Sequence, residues 1–395
     1  MNASLPIFDR IRRNLAVVVV GVASFAAGPS CCIAAGSKIS RPTGPAVLGV
    51  WTYTALADGT FAAFADGGRA VVESRWDGPK SLLLGNKIFP FPEPLTKPSA
   101  AVSKYDPGGV ISSNRKLFAT QERRLGARNW RIYVWNLARA HRSPVAMLGR
   151  ARQPRMADLA FSPSGRLIAS IGWLPRSSQA AVLLHDVPSG KIYRAFPLPQ
   201  KTGDRNSISG VIFTSARTVA CAVCGKTVDL MNWDVASSHV RYSTQVNNIV
   251  DVEAMAACRE RHELLISGPA PHRTDCPMIV LLNAATGRTV KTLVVDKQGA
   301  FSSHHMQGQD ISHICVASDG RYAVATEFGL PNNEGLGDSS AGRFVIIALS
   351  RMAIVYRSPV IAKEALWYVD ISPSGKRLLI AGNTRVYLLR SPFKL

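Results

Sequence analysis

The chain of 395 residues is 47% apolar and 18% charged, with 31 Gly and 24 Pro, which excludes an intrinsically disordered chain and points to a folded, turn-rich protein with a large core. Lys and Arg number 47 against 26 Asp and Glu, and the balance of +21 favours anionic partners. The length suits either several ordinary domains or one large closed repeat, so internal repeats decide between them.

Residues 1–37 form a separate unit. Arg10, Arg12 and Arg13 precede an uncharged stretch from Asn14 to Ser37, whose most apolar part runs from Leu15 to Ala27 and ends at Gly28-Pro29. A positive start, a short apolar run and a helix-breaking pair make the pattern of a signal peptide, too short for the roughly 20 apolar residues of a membrane span. Residues 1–37 are therefore expected to be a signal peptide or membrane anchor, cleaved after Ala26 or near Ser30 if removed. The protein is then exported, to the periplasm or the extracellular space. Arg12-Arg13-Asn14-Leu15 also matches a degenerate twin-arginine signal, and Gly28-Pro29-Ser30-Cys31 loosely matches a lipid-attachment site. Export permits disulfides. Cys258 and Cys276, in one repeat unit, are a candidate pair, whereas Cys221-Ala-Val-Cys224 reads as two buried strand residues or one local disulfide.

From residue 46 onward one phrase recurs. It stands as Ala65-Asp-Gly-Gly68-Arg69, Ile111-Ser-Ser-Asn-Arg115-Lys116, Phe161-Ser-Pro-Ser-Gly165-Arg166, Val316-Ala-Ser-Asp-Gly320-Arg321 and Ile371-Ser-Pro-Ser-Gly375-Lys376, with degenerate copies at Phe213-Thr-Ser-Ala216-Arg217 and around His262-Glu263. Seven units of similar length follow. In each, two apolar strands flank a tight turn, and a third strand comes next: Trp130 to Trp135, Ala181 to His185, Thr227 to Trp233, Met278 to Leu282, Phe344 to Ala348 and Val386 to Leu389. Turn signals such as Asp186-Val-Pro-Ser-Gly190-Lys191 and Asn283-Ala-Ala-Thr-Gly287-Arg288 then introduce a fourth strand. A four-stranded meander cannot bury both faces alone, and stacking seven around an axis solves that. Residues 46–395 are expected to form an all-β, seven-bladed β-propeller, its ring closed by an N-terminal strand drawn from Val47 to Ala55.

These residues resemble the WD-repeat family. Trp233-Asp234 stands where that family's dipeptide ends the third strand, and Trp135-Asn136 and His185-Asp186 stand at the same place in their units; the family's Gly-His pair is absent. The resemblance implies a non-catalytic scaffold that binds other proteins.

In such a meander, the connections between second and third strands and those between units open on one end, and these are the connections that carry insertions. In the first three units that end gathers Arg75, Trp76, Arg123, Arg124, Arg128, Trp130, Arg131, Arg150, Arg152, Arg155 and Arg176, the candidate partner-binding residues. Cations beside tryptophans suit docking, and the expected partner is a protein or an anionic membrane surface, met by a monomeric propeller. A nucleic-acid role conflicts with export. No cofactor is called for, and no nucleophile elbow, zinc-protease helix, P-loop or dinucleotide fingerprint occurs. The alternative is a propeller enzyme, a lactonase-like hydrolase or quinoprotein-like dehydrogenase, using His304, His305, Asp310, Glu327, Glu334 and Asp338 at the axial channel. Arg166, Lys191 and Arg288, on the opposite, short-turn end, are expected to take no part in binding and serve as the control for the long-loop end.

Overall fold

A computed structural model describes residues 47–52, 61–65, 68, 70–73, 81–84, 87–90, 109–123, 130–137, 146–151, 159–174, 177, 179–199, 207–271, 273–295, 310–329, 341–361, 364–382 and 385–392. Residues 1–37 lie outside them.

The described residues build seven four-stranded antiparallel sheets. Sheet 1 comprises Phe61–Phe64, Ala70–Glu73, Ser81–Leu84 and Lys87–Pro90. Sheet 2 comprises Gly109–Ile111, Leu117–Arg123, Trp130–Asn136 and Ala146–Ala151. Sheet 3 comprises Leu159–Phe161, Leu167–Trp173, Ala180–Asp186 and Ile192–Pro197. Sheet 4 comprises Ser207–Phe213, Thr218–Cys224, Val228–Asp234 and Val240–Val246. Sheet 5 comprises Ala254–Cys258, Glu263–Ala270, Arg273–Asn283 and Thr289–Val294. Sheet 6 comprises Asp310–Val316, Tyr322–Phe328, Gly342–Ala348 and Ala353–Arg357. Sheet 7 takes Leu366–Ile371, Arg377–Gly382 and Arg385–Arg390 from the end of the chain and Val47–Thr52 from its beginning, the latter paired antiparallel with Arg385–Arg390. These are the blades of a β-propeller.

Two turns recur at one end of the described units, each for a local reason. Between first and second strands the N–H of the fourth turn residue bonds the carbonyl of the first, as in Gly165 to Ser162, Gly320 to Ala317 and Gly375 to Ser372, at 2.8–2.9 Å. That fourth residue has positive φ, which glycine adopts without Cβ strain; Arg115 (φ 61) and His262 (φ 53) adopt it where glycine is missing. Sheet 4 closes the same connection with one residue fewer, pairing Phe213 with Val219, and Ala216 escapes that conformation. Between third and fourth strands of sheets 3, 4 and 5 an Asp or Asn opens the turn, at Asp186, Asp234 and Asn283. Asp234 Oδ1 accepts the N–H groups of Ala236 and Ser237 at 3.0 and 2.8 Å, and Asn283 Oδ1 accepts those of Ala285 and Thr286 at 3.0 Å. This is the structural work of the residue that follows the Trp-Asp tryptophan position.

The two turns are also tied to each other. In six consecutive sheets the residue after the third strand donates its N–H to the carbonyl of the residue before the second strand: Leu137 to Lys116, Val187 to Arg166, Val235 to Arg217, Ala284 to His262, Leu349 to Arg321 and Ser391 to Lys376, all at 2.8–2.9 Å. The bond repeats because the register repeats, with Trp135, His185 and Trp233 standing opposite Phe118, Ile168 and Val219.

The core lies between the sheets. One apolar cluster joins sheets 3 and 4 (Ala169, Val182 and Phe196 with Phe213, Val219 and Trp233), another joins sheets 5 and 6, and a third, built on Phe61, Phe64, Phe118, Trp135 and Tyr368, joins sheets 7, 1 and 2. Because each inner strand is covered on both faces, Thr218–Cys224 is buried at every residue. Cys221 and Cys224 are buried thiols in that strand, not joined in a disulfide. The expected Cys258–Cys276 pair is corrected by the register: neither cysteine forms a disulfide. Cys258 aligns through Glu263 with Asn283, whereas Cys276 precedes Pro277 on the third strand, and that offset of seven residues along the sheet corresponds to about 23 Å.

Candidate functional site

At the long-loop end the structure brings four of the sequence-predicted residues together. Arg123 pairs in register with Trp130 across the second and third strands of sheet 2, Arg131 pairs with Glu122, and Ala151 beside Arg150 pairs with Trp130. Their side chains, and Arg75, Trp76, Arg124, Arg128, Arg152, Arg155 and Arg176 altogether, lie outside what is described. One connection at this end carries no insertion: Cys224 and Val228 of sheet 4 are joined by a three-residue turn bonded from Gly225 N to Thr227 O at 3.1 Å.

The described part of this end holds several buried carboxylates. Glu253, just before the first strand of sheet 5, accepts the N–H of Ile311 at 3.0 Å. Burial, reinforced by its hydrogen bond to Asp310, pushes the Glu253 carboxyl well above the usual range; Asp310 is also raised, by burial and then by Asp251. Glu327, fully buried, receives Arg343 Nε at 2.6 Å with Arg357 4.0 Å away, and Glu364 accepts the N–H of Arg385 at 2.9 Å. Among the described residues no three His, Cys, Asp or Glu side chains converge as metal donors. Of the residues assigned to the enzyme alternative, His304, His305, Glu334 and Asp338 lie outside the described set, and Asp310 and Glu327 are engaged as above.

Sequence reasoning missed the polar knot at the axis. Asp370, on the innermost strand of sheet 7, accepts the N–H of Phe64 of sheet 1 at 2.7 Å and both terminal nitrogens of Arg115 from the turn of sheet 2, one of them at 2.8 Å. Arg115 also donates to Phe64 O and Ile371 O at 3.3 and 3.2 Å, and Cys315 of sheet 6 donates its thiol to Asp370 at 3.7 Å. One carboxylate thus ties four sheets. Burial opposes the Arg115 charge, but Asp370 more than offsets this and holds its pKa above the ordinary value. Burial, then the Asp370 charge, pushes the Cys315 thiol up to about 12, so it stays protonated. The sequence signal was present: arginine in a position of the repeat where four of the other units have glycine, at Gly68, Gly165, Gly320 and Gly375.

Across the same end Arg259 of sheet 5 donates to Ser113 Oγ of sheet 2 at 2.9 Å. These sheets are three apart in chain order, and the bond joins their short turns directly. Two histidines are buried nearby. His185 Nε2 lies 3.0 Å from Ser170 Oγ, and His313 packs its ring 4.5 Å from that of Tyr368. Burial lowers both to about 4, which keeps them neutral near pH 7.

No family model matches the chain, and no curated protein matches it. Among solved structures, a chain of a mitotic checkpoint complex crystal structure superimposes with a TM-score of 0.60 at 16% identity, over 93% of this chain and 98% of that one. At that identity the likeness speaks to the fold alone, and the fold it shares with this chain is the β-propeller.

Proposed function

We propose that the chain is a non-catalytic interaction scaffold, an exported WD-repeat-like propeller of seven blades that engages a protein partner through its long-loop end. The observation that carries this reading is where the buried ionisable groups go. Asp370, Arg115, Glu327, Arg343 and Glu364 hold strands and sheets together, and His185, His313 and Cys315 are held uncharged by burial. Chemistry of that kind serves rigidity. A closed seven-membered ring is supported by the pairing of Val47–Thr52 with Arg385–Arg390 and by the packing of Phe61 on both Tyr368 and Phe118, 4.8 and 5.4 Å between ring centroids. Export rests on residues 1–37 and is tested by N-terminal sequencing of the native product, which should start between about residues 27 and 36 or remain membrane-bound.

The scaffold reading is tested by affinity recovery of partners from the native host. Arg123→Glu, Arg124→Glu and Arg128→Glu together should remove the specific partner while leaving the melting temperature nearly unchanged. Elemental analysis and mass spectrometry of the purified protein supply the opposing outcome: a stoichiometric metal or quinone would replace the scaffold with the propeller enzyme.

A further inference from the structure

The hydrogen bond that ties the two short turns recurs in six sheets, and its acceptor is each time a basic residue type. Lys116, Arg166, Arg217, His262, Arg321 and Lys376 occupy this one position, and every one is exposed. A second set stands beside them in the turns between third and fourth strands: Lys191, His239, Arg288 and Arg351, also all exposed. The carboxylates of this end are largely engaged within their own turns. Asp186 holds Ser189 N and Arg166 Nε at 3.1 and 3.2 Å, Asp234 holds its own turn, Asp319 pairs with Arg321 at 2.5 Å and Glu263 with Arg261 at 2.5 Å, leaving Glu260 exposed.

The repeated turn bond places these residues at the same position of six sheets, and the Arg259–Ser113 bond joins the turns of two of them at that end. Exposed apolar residues interleave with the outer set. Ile192, Tyr193, Val240 and Val290, which start the fourth strands directly after those turns, are 39%, 48%, 50% and 47% exposed, and the Arg194 guanidinium lies over the Tyr193 ring at 5.4 Å. We infer that the short-turn end is a docking surface for an anionic lipid bilayer. A flat target meets all the cations at once, and the apolar residues enter the boundary between headgroups and acyl chains. The surface stands on the opposite end from the protein-binding one, and failure of that reading leaves it intact.

The full-length protein should sediment with phosphatidylcholine vesicles containing about a third phosphatidylglycerol, not with phosphatidylcholine alone, and should be released by roughly 0.5 M salt as screening shortens the reach of each charge. Arg217→Glu, Arg288→Glu and Lys376→Glu together should weaken vesicle capture by about a hundredfold, since each cation near an anionic bilayer contributes about fivefold. Arg123→Glu, Arg124→Glu and Arg128→Glu, the same change in net charge on the other end, should weaken it less than about threefold. If the first triple variant misfolds by circular dichroism, the corresponding glutamine variant carries the comparison. Equal weakening by both triples would reduce the attraction to net charge and overturn the proposal. So would capture of heparin, duplex DNA or an acidic protein without capture of the vesicles.

Discussion

At the scale of single residues, buried groups set how the protein responds to pH. His185 and His313 have folded pKa values lowered to about 4, so their contribution to stability is complete above the ordinary value of 6.5 and is lost as pH falls towards 4. A shift of that size corresponds to about 3 kcal/mol per histidine, to order of magnitude. The melting temperature should fall between pH 6.5 and 4, and His313→Phe, which preserves the packing on Tyr368, should fall less steeply. Glu253 works in the opposite direction. Its raised folded pKa makes its contribution complete below the ordinary carboxylate range and lost as pH rises through the folded value. Glu253→Gln keeps an acceptor for Ile311 and carries no charge at any pH, so its melting temperature should exceed that of the natural protein at pH 8 and converge with it near pH 4. An identical difference at both pH values would show that the carboxyl does not titrate between them.

At the scale of the element, the turn decides more than the strand. Ser238 holds φ 64 at the place where Gly190 and Gly287 stand in the neighbouring turns. Ser238→Gly should therefore stabilise by about 0.5–1 kcal/mol, read as a rise in denaturation midpoint with an unchanged denaturant slope. Asp234→Ala removes the acceptor for two N–H groups of the same turn and should cost about 1 kcal/mol. If Ser238→Gly destabilises, the side chain is making an interaction that outweighs the left-handed strain. Strand positions were legible in the sequence because apolar alternation and turn residues are local signals. The third strand predicted from Ala181 to His185 is seen at Ala180–Asp186, and that from Thr227 to Trp233 at Val228–Asp234.

At the scale of the whole molecule, the Asp370 knot joins the last sheet to the first two. Asp370→Asn leaves Arg115 nearly buried without its carboxylate, and breaking a buried pair costs about 3–5 kcal/mol. Arg115→Gly relieves the positive φ yet strands Asp370, so it too should destabilise, and combining the two should cost less than the sum of the single changes. Additive effects in that cycle would mean the pair does not couple the sheets. Deleting residues 1–53 removes the strand that covers Arg385–Arg390; amide exchange there should accelerate first, ahead of the sheets formed from contiguous chain.

By itself the sequence determined the all-β class, the four-stranded unit and the short turns, because each depends on residues within a few positions of one another. The candidate site was only partly legible. Long-loop cations stood out as clusters along the chain, at Arg123, Arg124 and Arg128, whereas Lys116, Arg166, Arg217, His262, Arg321 and Lys376 form no cluster along it, since about 50 residues divide each from the next. Only the tertiary structure decided that they share one face, since a common register is what brings them to one level. It decided the cysteines as well: Cys258 and Cys276 belong to one sheet but lie on non-adjacent strands and far apart along it, and a disulfide depends on distance in space, not on membership of one repeat.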